Sequence, residues 1–154
     1  MMESYHTRRD FLRYATISGV VVPLTFAPGF FQQAQAKAFN FAADPDNLTD
    51  MERIHLPIIT LPPVVEDGSQ APIQIEVDHP MDEDHYIKRI QIIGFNDPVQ
   101  TKGNFYFSPL NGEAFVGVQI RLNGGESTVW AVAECNQHGA WASSTDTKVA
   151  AGGC

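Results

Sequence analysis

Apolar and polar residues alternate with a period of two through much of the chain beyond residue 50. Ile73, Ile75 and Val77 alternate with Gln74, Glu76 and Asp78, the pattern of a strand with one buried face. Ala114, Val116, Val118, Ile120 and Leu122 alternate with Phe115, Gly117, Gln119 and Arg121. Val129, Ala131 and Ala133 alternate with Thr128, Trp130, Val132 and Glu134, which places apolar residues on both faces. Ile87 to Ile93 and Phe105 to Phe107 are further strand candidates. Turn-forming clusters separate these runs: Glu66-Asp67-Gly68-Ser69, Asn96-Asp97-Pro98, Ser108 to Gly112 and Asn123-Gly124-Gly125. Asp46 to Glu52 carries the residues that cap a short helical turn. Short strands punctuated by turns predict an all-β antiparallel sandwich of about seven strands.

The N-terminal stretch reads differently. Thr7-Arg8-Arg9-Asp10-Phe11-Leu12-Arg13 resembles a twin-arginine export signal. The apolar run that follows, to about Phe31, is broken by Gly19, Pro23, Pro28 and Gly29, which suits a cleavable leader better than a membrane helix. Ala34-Gln35-Ala36 and Ala36-Lys37-Ala38 both fit cleavage sites. The expected organisation is a signal peptide over 1–38, an N-terminal arm over 39–50, a β-sandwich over 51–145 and a flexible tail over 146–154. Export to the periplasm, or otherwise out of the cytoplasm, is the expected localisation.

Charge narrows the partners. The chain carries a formal net charge of −8, and Arg8, Arg9, Arg13 and Lys37 all lie in the leader. Without them the protein is more acidic still, which argues against nucleic acid and against anionic membrane surfaces. The two cysteines, Cys135 and Cys154, exclude a disulfide-dense scaffold but permit one bridge.

Four histidines remain once His6 is set aside with the leader: His55, His79, His85 and His138. All fall at expected strand ends or turns. His79 continues the inward set Ile73, Ile75, Val77, and Pro80 then stops the strand. His85 follows across the turn Met81-Asp82-Glu83-Asp84. Cys135 continues the set Val129, Ala131, Ala133, with His138 three residues on. A Cys-x-x-His turn can bring a thiolate and an imidazole to one metal ion.

Three segments resemble the superoxide reductase family, which includes neelaredoxin and desulfoferrodoxin. Glu52-Arg53-Ile54-His55-Leu56-Pro57 resembles its Glu-Lys-His-x-Pro motif. His79-Pro80-Met81-Asp82-Glu83-Asp84-His85-Tyr86-Ile87 resembles its His-Pro-Met-x-x-x-His-Tyr-Ile motif. Cys135-Asn136-Gln137-His138-Gly139-Ala140-Trp141 resembles its Cys-Asn-x-His-Gly-x-Trp motif. The resemblance implies an immunoglobulin-like sandwich and one iron ion per chain, with His55, His79, His85 and His138 as equatorial ligands and Cys135 as the axial one. It implies one-electron reduction of superoxide to hydrogen peroxide, with electrons from a rubredoxin-like or other small redox protein. The family commonly places Lys directly before its first His. Ile54 stands there, so Arg53 or Lys88 is the candidate cation, and Glu52 is the candidate capping carboxylate.

Val149-Ala150-Ala151-Gly152-Gly153-Cys154 points elsewhere. Gly-Gly-Cys resembles the sulfur-carrying arm of the carrier subunit in bacterial thiosulfate oxidation, which also has an immunoglobulin-like fold. Two glycines before a thiol give an arm able to visit partner active sites. Three alternatives to the reductase therefore stand: a sulfur carrier using Cys154 and a partner enzyme, a zinc or copper electron-transfer module on the same ligands, or a Cys135–Cys154 disulfide with no metal. A homo-oligomer is compatible with each.

Overall fold

The computed structural model describes residues 39–150. The expected leader and the Gly152-Gly153-Cys154 segment lie outside the described residues. Nine strands and one short α-helix occur among those described. In chain order they are β1 (Phe39–Asn40), α1 (Asp50–His55), β2 (Ile58–Thr60), β3 (Val64–Val65), β4 (Ala71–Val77), β5 (Ile87–Gly94), β6 (Thr101–Tyr106), β7 (Ala114–Ile120), β8 (Gly125–Cys135) and β9 (Gly139–Val149). A 3-10 turn at Pro109–Asn111 precedes β7.

The strands form two sheets. The larger runs β1-β9-β8-β5-β6, with β3 also on the edge of β9, and the smaller runs β2-β4-β7. Most pairings are antiparallel. The short strands β1 and β3 instead lie parallel to β9, at Ala140–Trp141 and Lys148–Val149 respectively. This is the expected immunoglobulin-like β-sandwich, with two more strands than the alternation revealed.

The core is built from the alternating residues. In β4, Ala71, Ile73, Ile75 and Val77 are buried and the residues between them are exposed. Val129, Ala131, Ala133 and Cys135 of β8 face the same interior. In β5 the period breaks. A bulge between Ile87 and Arg89 changes the register, so Ile87 joins Ile90 and Ile92 in the core. Apolar residues on both faces of β8 also have a structural reason. Val132 packs with Ala140 and Ala142 in a second cluster on the outer face, against Ile93 and Trp130. The arm residue Phe41 meets Trp130 edge-on there.

The longest surprise is β9. It pairs with β8 over eleven successive positions, Cys135↔Gly139 to Gly125↔Val149. Its second half, Ser143 to Lys148, is polar and carries no alternating apolar signal. Backbone bonds to β8, rather than a hydrophobic stripe, hold it in the sheet. The sandwich boundary expected at residue 145 therefore falls inside this strand, and Asp146–Val149 belongs to the sheet, not to a tail.

Ile75 is fully buried between the sheets. Ile75→Ala is expected to destabilise the domain by about 2–5 kcal/mol, the range for emptying such a site. Denaturant unfolding followed by tryptophan fluorescence measures this, and a loss below about 1 kcal/mol would place the core elsewhere.

Candidate metal centre

Five strand or helix ends meet at one pole of the sandwich. β4 ends at Val77, and His79 follows two residues later. β5 begins at Ile87, just after His85. β8 ends at Cys135 and β9 begins at Gly139, with His138 in the turn between them. Helix α1 contributes its last residue, His55.

Local chemistry explains each placement. The β8–β9 hairpin closes through Asn136-Gln137-His138 and Gly139, whose φ of 78° suits glycine. Asn136 ties this turn to the His85 loop. Its amide nitrogen donates to the Asp84 carbonyl at 2.8 Å, and its side-chain oxygen accepts from the Tyr86 backbone N–H at 3.1 Å. Gln137 adds a second bond to the Asp84 carbonyl at 2.7 Å. Trp141 stacks on the His55 ring and donates to the His138 carbonyl.

Ligand atoms of His55, His79, His85 and Cys135 all lie within 4.8 Å of one another. His138 Nδ1 lies 3.1 Å from His55 Nε2, 3.0 Å from His85 Nε2 and 3.7 Å from Cys135 Sγ. The structure thus brings all five expected ligands together. His55, His79 and Cys135 are buried, and His85 and His138 are half-buried.

The proton inventory tests whether a cation fits. His55 Nδ1 donates to the Met51 carbonyl at 2.7 Å, so Nε2 of the neutral ring is a bare lone pair. His79 Nδ1 is bonded to the Pro80 carbonyl, and its buried Nε2 has no hydrogen-bond partner. One proton on His138 Nδ1 cannot serve both His55 and His85 with a bond of its own. If His85 donates to His138 instead, the lone pairs of His55 and His138 face each other. A metal ion among these nitrogens resolves every conflict at once. Imidazole nitrogens and a thiolate sulfur are donors that transition metals accept.

The donors are electrically prepared. Burial pushes the His79 imidazole down to about 4, helped by the neighbouring histidines and opposed by its bond to Pro80. Burial also lowers His55, against the bond from its ring to Met51. Both rings are neutral at pH 7, as metal ligands must be. Backbone N–H groups of Gln137 and His138 donate to Cys135 Sγ at 3.4 and 3.5 Å and fix the direction of the sulfur.

The three expected helper residues have other partners. Glu52 is the helix cap. Its Oε1 accepts from the Ala43 backbone at 2.8 Å, and its Oε2 accepts from the Thr49 backbone and hydroxyl at 2.8 and 2.7 Å. It thereby fastens the N-terminal arm to α1, the helix that presents His55. Lys88 pairs with Glu134 at 2.8 Å, a carboxylate shared with Arg89. Arg53 is exposed and reaches the Leu48 carbonyl at 3.4 Å. Sequence reasoning missed Gln137 and Trp141 as organisers of the centre. The only signal for them was their position inside the Cys-to-Trp segment.

Comparisons with known proteins divide. A family model for sulfur oxidation protein SoxY matches residues 40–154. No curated protein matches the sequence. Among solved structures, a Thermotoga maritima protein assigned as a superoxide reductase superposes with a TM-score of 0.57 at 25% identity, covering 72% of this chain and 93% of that one. An Ignicoccus hospitalis neelaredoxin variant gives 0.56 at 20% identity, covering 72% and 94%. An Archaeoglobus fulgidus neelaredoxin gives 0.51 at 15%, covering 71% and 98%. The family match corrects the expected membership in the superoxide reductase family. The three motifs are local to one pole, whereas the match to the sulfur oxidation family spans the whole sandwich and runs on through Cys154.

The bonds from Ala43 and Thr49 hold the Glu52 carboxyl below its ordinary value of 4.5. A carboxylate lowered on folding stabilises the fold above its unfolded value and loses that contribution as pH falls from there through the folded value. Glu52→Gln is therefore expected to destabilise the protein at pH 7, with the difference from wild type shrinking below pH 4.5. Urea unfolding at several pH values reads this, and a difference independent of pH would remove the charge from the latch. Thr49→Ala is expected to cost about 0.5–2 kcal/mol through the lost cap.

Proposed function

The chain belongs to the sulfur oxidation protein SoxY family, and from that premise we propose that it is a sulfur carrier that bears its cargo on Cys154. The carrying observation is the extent of the match, which includes the Gly152-Gly153-Cys154 segment as well as the sandwich. A thiol preceded by two glycines suits covalent sulfur chemistry in the active site of a partner enzyme. The Arg8-Arg9 leader supports export, and a partner enzyme outside the cytoplasm follows from it. Protein isolated from cells oxidising reduced sulfur is expected to show a sulfur adduct on Cys154 by intact-mass and peptide mass spectrometry. Cys154→Ser should remove the adduct and halt sulfur oxidation. A bare Cys154 under those conditions would sink the reading.

The pocket supports a second activity in the same molecule. His55, His79, His85, His138 and Cys135 would hold one iron ion, which would supply one-electron chemistry with thiolate donation raising its electron density. The specific observation is the buried His79 Nε2 without a hydrogen-bond partner, beside the ring nitrogens of His55 and His85 that both converge on His138 Nδ1. Superoxide reduction is the reaction this donor set fits: superoxide, one electron and two protons give hydrogen peroxide, the electron coming from a small redox protein. Nearby acidic residues Asp78, Asp82, Glu83 and Asp84 are exposed and oppose long-range capture of an anion, so delivery depends on short-range access. Cys135→Ser is expected to abolish the thiolate-to-metal absorption band and superoxide consumption, while Cys154→Ser leaves both. Wild-type protein that binds no metal would end this second reading.

A further inference from the structure

We infer that β7 is a dimerisation edge, to which a second copy of this chain adds its own β7 antiparallel, joining the two small sheets into one. The inference rests on neither of the functions proposed above.

The sheet edges are guarded unequally. Among the described residues, the outer side of β9 is covered by β1 and β3. β2 has three residues, and Pro62-Pro63 follows shortly after it. The β5–β6 pairing carries an irregularity between Ile92 and Ile93. Short strands, prolines and bulges are the usual defences of an edge. β7 has none of them. Its seven residues pair with β4 in unbroken register, from Ala71↔Ile120 to Val77↔Ala114, and no described strand pairs with its other side. Ala114 to Ile120 contains no charge and no proline. In an antiparallel ladder alternate residues turn their N–H and C=O to the same side, so β7 presents a row of free donors and acceptors outward. The seam beside it is apolar. A cleft of about 560 Å³ runs between β6 and β7, lined by Phe105, Phe107, Phe115 and Val116 among others. A strand added to β7 would lay its own Val116 and Val118 over this seam.

Charge selects the occupant. Glu113 and Arg121 flank β7, both are exposed, and neither is ion-paired among the described residues. Gly117 is the midpoint between them. An antiparallel pair centred on Gly117 sets Ala114 opposite Ile120 of the second copy, Phe115 opposite its Gln119, Val116 opposite its Val118 and Glu113 opposite its Arg121. The two-fold axis repeats each pair, so an ion pair closes each end of an uncharged strand. Directly opposite residues point to the same face, as such ion pairs require. Glu-Ala-Phe-Val-Gly-Val-Gln-Ile-Arg is thus complementary to itself read backwards. It stands on a chain whose net charge of −8 repels a second copy elsewhere. Ala114 lies at the metal pole, opposite Val77. Antiparallel pairing therefore sends the two pockets to opposite ends of the joined sheet and covers neither.

Sedimentation equilibrium of the purified full chain over a range of concentrations tests this, with reductant present so that cysteine bridges do not contribute. Wild type is expected to dimerise. Glu113→Arg and Arg121→Glu are each expected to weaken the dimer about tenfold, because each sets two like-charge pairs across the axis. The double variant Glu113→Arg/Arg121→Glu restores opposite charges in both pairs and is expected to recover wild-type affinity. Net charge alone would give another pattern, since Glu113→Arg makes this acidic chain less self-repulsive and Arg121→Glu makes it more so. Both residues are exposed, so the variants are expected to keep the wild-type circular dichroism spectrum. A wild-type chain that stays monomeric overturns the inference, as does a dimer that the single variants do not weaken or the double variant does not restore.

Discussion

Eleven consecutive antiparallel pairs between β8 and β9 are the constraint on which the rest of the structure depends. The hairpin turn at one end of this ladder holds Cys135 and His138. The last residues of β9, paired with Gly125 and Glu126, form the other end. The outer edge of β9 accepts both parallel strands, β1 near the turn and β3 near the exit. A slip of one residue in this ladder would exchange the inward and outward faces of β8 and turn Cys135 away from the core. Packing prevents it. Val129, Ala131 and Ala133 fit the interior, and Val132 is covered outside by Ala140 and Ala142.

The metal pocket is built with little dedicated structure. Strand ends supply the direction of each ligand, and side-chain bonds from Asn136 and Gln137 to Asp84 lock two of the loops together. His55 alone comes from a helix, and that six-residue helix is too short to be stable by itself. Its position rests on the Thr49–Glu52 cap, on the arm held through Ala43, and on the stacking of Trp141. Glu52 is thus a positioning residue for the ligand, acting through the backbone rather than at the metal.

Family and fold give different information here. Structures with superoxide reductase chemistry share this sandwich at 15–25% identity, which establishes architecture. The sulfur oxidation family covers the sandwich and the Gly-Gly-Cys segment together. A single chain with a five-donor pocket and a Gly-Gly-Cys sequence joins features that architecture alone does not connect.

From the sequence alone, the alternation of apolar residues determined β4, β7 and β8, because a half-buried strand leaves a period of two whatever its neighbours are. The placement of His79 and Cys135 on inward faces followed from the same parity. The short strands β1, β2 and β3 escaped notice because two or three residues carry no period, and β9 because backbone bonding leaves no mark on side-chain type. The bulge in β5 was equally invisible, since only pairing with β8 shows why Ile87 and Ile90 face the same way. Motif likeness gathered the five clustered donor residues but misjudged the family, because motifs report one pole and not the whole chain. Tertiary structure alone decided the partners of Glu52, Lys88 and Arg53, since long polar side chains settle on whichever neighbours the fold brings near. It also decided that the pocket stands at one end of the β8–β9 ladder and Val149 at the other, because only the unbroken pairing of β9 turns that stretch of sequence into distance.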